Sequence, residues 1–287
     1  MNARKSTLAV AACALGLGSL TLASCSGNAD RAATGTDVES FEIREELKTA
    51  SRSFLMQYAN GDSAYLTLSA TVQWPVKLGD ANLIALQDTL IASINNRSPY
   101  SIDEAMGAFV SDYNAIFDEP MPGLKATAVD TVPPMTETVF SLESSVTARV
   151  TELTEQTVTY QITDYSFTGG AHPNTVVTPL TYDLKNGKVL TFDGLFTAGA
   201  DATLLPLIED ALASQYGVSS PKELARIGFF TDQLTVSKQV FVADGQLVFH
   251  YNPYEIAPYV MGQIDVPIAP FAVESILTPE AKALLLQ

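Results

Sequence analysis

The chain has 287 residues, with 16 basic against 32 acidic side chains, 47% hydrophobic residues, two Cys and two His. That length and apolar content suit a packed core and exclude a collagen-like, low-complexity or generally disordered chain. A formal net charge of −16 excludes nucleic acid as a partner, since phosphate binding needs clustered Lys and Arg. Two His and two Cys leave little material for a transition-metal site.

Arg4 and Lys5 precede an uncharged run from Thr7 to Leu22, rich in Ala and Gly and short for a membrane span. It closes on Leu22-Ala23-Ser24-Cys25, which resembles the bacterial lipobox. The resemblance implies a lipoprotein signal peptide over 1–24, cut before Cys25, with diacylglycerol on the Cys25 thiol and palmitate as the acyl chain. An ordinary signal peptide cut after Ala23 or Ser24 is the alternative. Loss of Arg4 and Lys5 with the signal leaves 14 basic against 32 acidic side chains, so attachment to a bilayer must come from lipid and not from a basic surface. The expected location is the cell envelope, lipid-anchored and extracytoplasmic. Ser26 after the cysteine favours the outer membrane where there is one. Residues 25–36 are small and polar, a flexible tether.

Beyond it, Leu66, Leu68, Ala70, Val72 and Trp74 alternate with polar residues, the period of a half-buried strand. Asp80 is the expected N-cap of a helix carrying Leu83, Leu86, Leu90 and Ile94. Ser101 to Glu104 reads as a capping box before a second helix reaching Phe117. The Pro-rich stretch Asp118 to Pro134 is an expected loop with room for one short strand. Strands follow around Phe140–Val150 and Val158–Ile162. Asn186-Gly187 predicts a tight hairpin, and Leu204–Tyr216 a helix closed by Gly217 with Pro206 in its first turn. Ser220-Pro221-Lys222-Glu223 predicts another helix start. Asp244-Gly245 predicts a hairpin joining Leu234–Val242 to Leu247–Tyr251, and Ile264–Ile268 a last strand that Pro267 places at an edge. Segregated strands and helices predict an α+β fold. It would be a mainly antiparallel sheet with amphipathic helices on one face, in two closely associated halves, 37–135 and 136–287.

Two segments carry a further pattern. One runs from Asp164 through Gly169-Gly170-Ala171-His172-Pro173 to Leu195-Phe196. The other is Phe249-His250-Tyr251-Asn252-Pro253-Tyr254-Glu255-Ile256-Ala257-Pro258-Tyr259, ending in Val260-Met261-Gly262. Their order and spacing over about Gln156 to Pro270 resemble the bacterial extracytoplasmic family that includes the lysozyme-sensing anti-sigma factor RsiV and the non-catalytic part of the peptidoglycan deacetylase PdaC. The stretch from Val38 to Phe117 resembles that family's companion region. The resemblance implies a module that recognises lysozyme, peptidoglycan or an envelope partner. Neither sigma-factor regulation nor deacetylation carries over. No cytoplasmic sigma-binding segment or membrane span is legible, and the chain lacks the paired histidines and acidic cluster of a metal-dependent deacetylase.

The candidate ligand-binding residues are Gly169, Gly170, His172, Tyr251, Tyr254 and Tyr259. Two readings of the histidines compete. His172 and His250 converge with Asp164 or Glu255 into a metal or acid–base site, or His172 fixes a turn while His250 belongs to a strand. The Tyr and Pro residues of the second segment form either a binding platform or a packed crossover. No Gly-x-Ser-x-Gly elbow, calcium loop or Gly-rich phosphate loop is present, so no catalytic residue, metal or cofactor is assigned. The expected function is a lipid-anchored, non-catalytic envelope binding protein. The alternative is an envelope hydrolase acting on cell-wall material.

Overall fold

The computed structural model describes residues 41–95, 101–117, 119, 121–135 and 140–286. The segments expected to be a signal peptide and a tether, with Cys25 between them, lie outside the described residues.

Two long strands, β1 (Ile43–Gln57) and β2 (Ser63–Leu78), form an antiparallel hairpin. Helices α1 (Ile84–Ile94) and α2 (Ile102–Phe109) follow, then the short strand β3 (Lys125–Val129) on the outer side of β1. Strands β4 (Phe140–Leu153), β5 (Thr157–Phe167), β6 (Asn174–Asp183) and β7 (Lys188–Val189) complete a seven-stranded sheet. Its order is β3-β1-β2-β4-β5-β6-β7, antiparallel except where β2 runs parallel to β4. The chain is α+β, with a mainly antiparallel sheet and helices packed on it, as expected.

The sheet's even-numbered face makes the first core. Ala70 and Val72 of β2, Val146 and Ala148 of β4, Val158, Tyr160 and Ile162 of β5, and Leu180 and Tyr182 of β6 meet Leu86, Leu90 and Ile94 of α1 and Ile102, Ala105 and Met106 of α2. Two buried tyrosines tie this face down, Tyr160 donating to the Gln73 carbonyl and Tyr182 to that of Asn82.

The remaining chain builds a smaller unit. After the one-turn helix α3 (Phe192–Leu195) comes α4 (Asp201–Gln215), and then the antiparallel sheet β10-β9-β8 from β8 (Val240–Ala243), β9 (Gln246–Tyr251) and β10 (Ile264–Ile268); helix α5 (Pro279–Leu285) ends the chain. Leu204, Ile208 and Leu212 of α4 pack against Leu247, Phe249, Ile264 and Val266. The Asp244-Gly245 turn has both φ values positive, +49° and +69°. That is the type I′ geometry matching strand twist, and Asp and Gly adopt it most cheaply.

The small sheet's free edge is closed by side chains of the large one. Thr159 and Thr181, cross-strand neighbours on β5 and β6, are fully buried. The Thr159 hydroxyl donates to the Val242 carbonyl at 2.8 Å, the Val242 N–H donates to Thr181 Oγ1 at 2.9 Å, and the two hydroxyls lie 2.9 Å apart. With Thr159's proton already given to Val242, the hydroxyl–hydroxyl bond runs from Thr181 to Thr159, and every donor is used.

Several local expectations are corrected. Asp80 does not cap α1. The chain turns at Gly79 and Asp80, and Asn82 Oδ1 accepts the Ile84 N–H instead. Helix α2 stops at Phe109, because Ser111, Asp112 and Asn114 favour the turns seen over 110–117. Phe140 begins a strand but points out, 62% exposed. Helix α4 starts at Asp201, so Pro206 lies inside it. Its end is as expected: Gly217 at φ +69° lets Val218 N–H reach the Ala213 carbonyl. Residues Pro221–Ile227 form a 3-10 helix whose start is held by Glu223 accepting from Ser219, while the Ser220 side chain makes no cap bond. The strand expected from Leu234 begins only at Val240, because Tyr251 Oη occupies the backbone of Thr235 and Ser237. Asn186-Gly187 ends a four-residue connection between β6 and β7, where Asp183 accepts from Asn186.

Candidate functional site

The two sequence segments meet at one exposed cluster of rings. The first supplies the β5–β6 turn. Gly169 and Gly170 have φ of +95° and +101°, a left-handed path open to glycine, and the turn delivers His172. The second is the loop leaving β9. Its anchor is Asn252, a buried side chain whose Nδ2 donates to the Val177 carbonyl (2.9 Å) and whose Oδ1 accepts the Val177 N–H (2.7 Å). The amide thus stands where a neighbouring strand would on β6. Glu255 in turn accepts the Asn252 N–H, and Tyr254 N–H donates to the Ala257 carbonyl.

The clamp brings Tyr254 and Tyr259 to His172. The imidazole stacks on the Tyr259 ring, with centroids 3.8 Å apart and planes inclined by 18°. Tyr254 Oη lies 3.3 Å from His172 Nε2, and the two tyrosine rings are 5.8 Å apart. His172 Nδ1 lies 2.8 Å from the Pro173 carbonyl, an oxygen that only accepts. A neutral ring therefore carries its proton on Nδ1, and the Tyr254 hydroxyl donates to Nε2. Tyr254 has a φ of +70°, strained for an aromatic residue, and such strain gathers where function requires it. Tyr254 is 56% exposed, and Val260 beside Tyr259 in the chain is 90% exposed. The result is an amphipathic surface of fixed rings, suited to area-rich contact with a partner.

Two candidates do not belong to it. Tyr251 is buried, donating to the Thr235 carbonyl and accepting the Ser237 N–H. Burial pushes its hydroxyl up to about 12. His250, 2% exposed, sits on β9 with Nδ1 at 2.7 Å from Asp265 Oδ1 on the neighbouring strand. It therefore pairs with Asp265: of the two readings of the histidines, the convergence with Asp164 or Glu255 is not made, and His172 lies in a turn while His250 belongs to a strand. Glu255 is spent on the loop, and Asp164 stands on β5 between Val146 and Val176. Among the described residues, no group of three His, Cys, Asp or Glu side chains is placed to hold a metal. Sequence reasoning missed Asn252 as the clamp. Its signal was an amide between the last residue of a strand and a proline.

A family model described as a protein of unknown function (DUF3298) matches residues 193–269. Among solved structures, that of a member of this family from Bacteroides fragilis aligns with a TM-score of 0.63 at 19% identity, covering 86% of this chain and 100% of that one. A second, from Pseudomonas aeruginosa, aligns with a TM-score of 0.54 at 16% identity, covering 85% and 97%. At these identities the likeness is one of fold. No curated protein matches the chain.

Proposed function

We propose that this chain is a lipid-anchored protein of the bacterial cell envelope, held by an acylated Cys25, whose folded part binds a ligand without transforming it. Its recognition surface is the His172–Tyr254–Tyr259 cluster, and lysozyme is the first ligand to test, ahead of peptidoglycan. One observation carries the reading: two segments distant in the chain converge on three rings, with both His172 nitrogens and the Tyr254 hydroxyl already hydrogen-bonded. An exposed, preorganised aromatic patch loses little entropy on contact. The 14 basic against 32 acidic side chains that remain after loss of the signal, a net charge of −18, add salt-dependent attraction for a strongly cationic protein. The RsiV- and PdaC-like pattern of the same two segments supports an envelope ligand.

The test is calorimetric titration of lysozyme into the chain from Asn28 onward, at low and at physiological salt. Saturable binding that survives physiological salt, and falls about tenfold or more in Tyr254→Ala, is the expected result. Heat that vanishes with salt reduces the attraction to net charge and moves the search to peptidoglycan fragments. The anchor is tested separately. Cys25→Ser is expected to abolish labelling by a palmitate analogue and to release the protein from the membrane fraction.

A further inference from the structure

A concavity lies at one end of the large sheet, where the β1–β2 hairpin tip, the first residues of β4 and the β5–β6 turn meet. It is an open cleft of about 570 Å³, a size typical of small-ligand sites. Phe140 and Tyr58 supply aromatic surface, Asn60 and Asp62 an amide and a carboxylate, and Thr168 a hydroxyl beside Gly169. Phe140 heads a strand yet is 62% exposed, an apolar ring left in water at the mouth of a polar cleft.

The polar wall is ordered before any ligand arrives. Tyr58 N–H donates to the Asp62 carbonyl and Gly61 N–H to that of Tyr58. Asn60 Nδ2 donates to Asp62 Oδ2 at 2.6 Å, and Asp62 N–H to Asn60 Oδ1 at 3.0 Å. At Gly169 a side chain would meet nothing within 4 Å, so the backbone there borders open space. Among the described lining residues there is no Lys, Arg or His, which disfavours phosphate or another anion. A single carboxylate already engaged by an amide is a poor cation site. What remains is a neutral ligand with one apolar face and a rim of hydroxyls.

We propose that this cleft binds a neutral sugar ring within an oligosaccharide. The C–H face of the pyranose lies on Phe140, an aromatic surface that accepts it without desolvating a charge. Its hydroxyl edge bonds to the Asn60–Asp62 pair and to Thr168. The site shares the β5–β6 turn with the aromatic cluster but none of its three rings, and it does not rest on the reading given to them.

The experiment is a titration of the full-length, nitrogen-15-labelled protein with tri-N-acetylchitotriose, and in parallel with maltotriose, followed by amide shifts. With either sugar, saturable shifts centred on Gly61, Thr168 and Gly169 are expected, with affinity in the millimolar range usual for a shallow site. Phe140→Ala, a substitution on the surface, is expected to weaken binding at least about tenfold while leaving the rest of the spectrum in place. Asp62→Asn keeps the shape of the hairpin tip and is expected to weaken it less. Absence of saturable shifts for both sugars at about 10 mM, shifts centred on His172 and Tyr254, or binding untouched by Phe140→Ala would each overturn the proposal.

Discussion

Three buried polar side chains, Tyr251, Tyr160 and Asn252, show how single residues set the molecule's conditions of stability. Burial pushes the Tyr251 hydroxyl up to about 12, and burial with the nearby Glu45 charge drives Tyr160 higher still. In the unfolded chain both ionise near pH 10. The native state therefore keeps protons that the unfolded chain gives up. Their contribution is complete below pH 10 and is lost as pH climbs through the raised values of the folded state, about 12 for Tyr251. For Tyr251 the loss amounts to about 2–3 kcal/mol. Urea unfolding at pH about 8 and about 11 checks it, and Tyr251→Phe is expected to flatten part of the alkaline decline. Asn252→Ala leaves the Val177 N–H and carbonyl without their partner, at an expected cost of about 2–4 kcal/mol for two buried groups. It also lowers the protection of the Val177 amide against hydrogen exchange. Leu in its place costs as much, since the requirement is for one donor and one acceptor.

At the scale of elements, α4 carries its own flaw. Pro206 lies within Asp201–Gln215, lacks an N–H, and crowds the Ala202 carbonyl. Pro206→Ala is expected to raise stability by about 1–3 kcal/mol, read as a higher denaturant midpoint at unchanged slope. Strands, turns and helix ends were legible where a local rule governs alone. Asp244-Gly245, the Gly217 terminus, the β2 alternation and the Pro267 edge strand all follow from short-range chemistry. Starts of helices were mixed: Ser101 caps α2 as its spacing to Glu104 predicts, whereas Asn82 takes the role expected of Asp80 and Glu223 holds the start at Pro221 in place of the Ser220 side chain. The candidate site was half legible. His172, Tyr254 and Tyr259 come together as the pattern of two segments suggested, but Tyr251 and His250 share their stretch and turn inward. On a strand of alternating faces, which tyrosine faces solvent depends on what packs behind the strand, and that partner is distant in sequence.

For the molecule as a whole, the excess of acidic side chains makes self-repulsion a standing cost. Melting temperature is expected to rise with ionic strength as that repulsion is screened. The joint between the two sheets is sensitive in another way. Thr181→Val preserves shape but strands the buried Val242 N–H, at about 1–3 kcal/mol. The loss is expected first as faster amide exchange in β8 and only later as global unfolding.

That joint also imposes an order in time. Thr159 and Thr181 are 22 residues apart and stand side by side only once β5 and β6 have paired. The berth for Val242 thus does not exist in the nascent large sheet until its centre is assembled. A strand waiting on such a berth has an open edge meanwhile, the kind through which chains associate wrongly. The seating of β8 is therefore a step at which a crowded population of these molecules is exposed to one another.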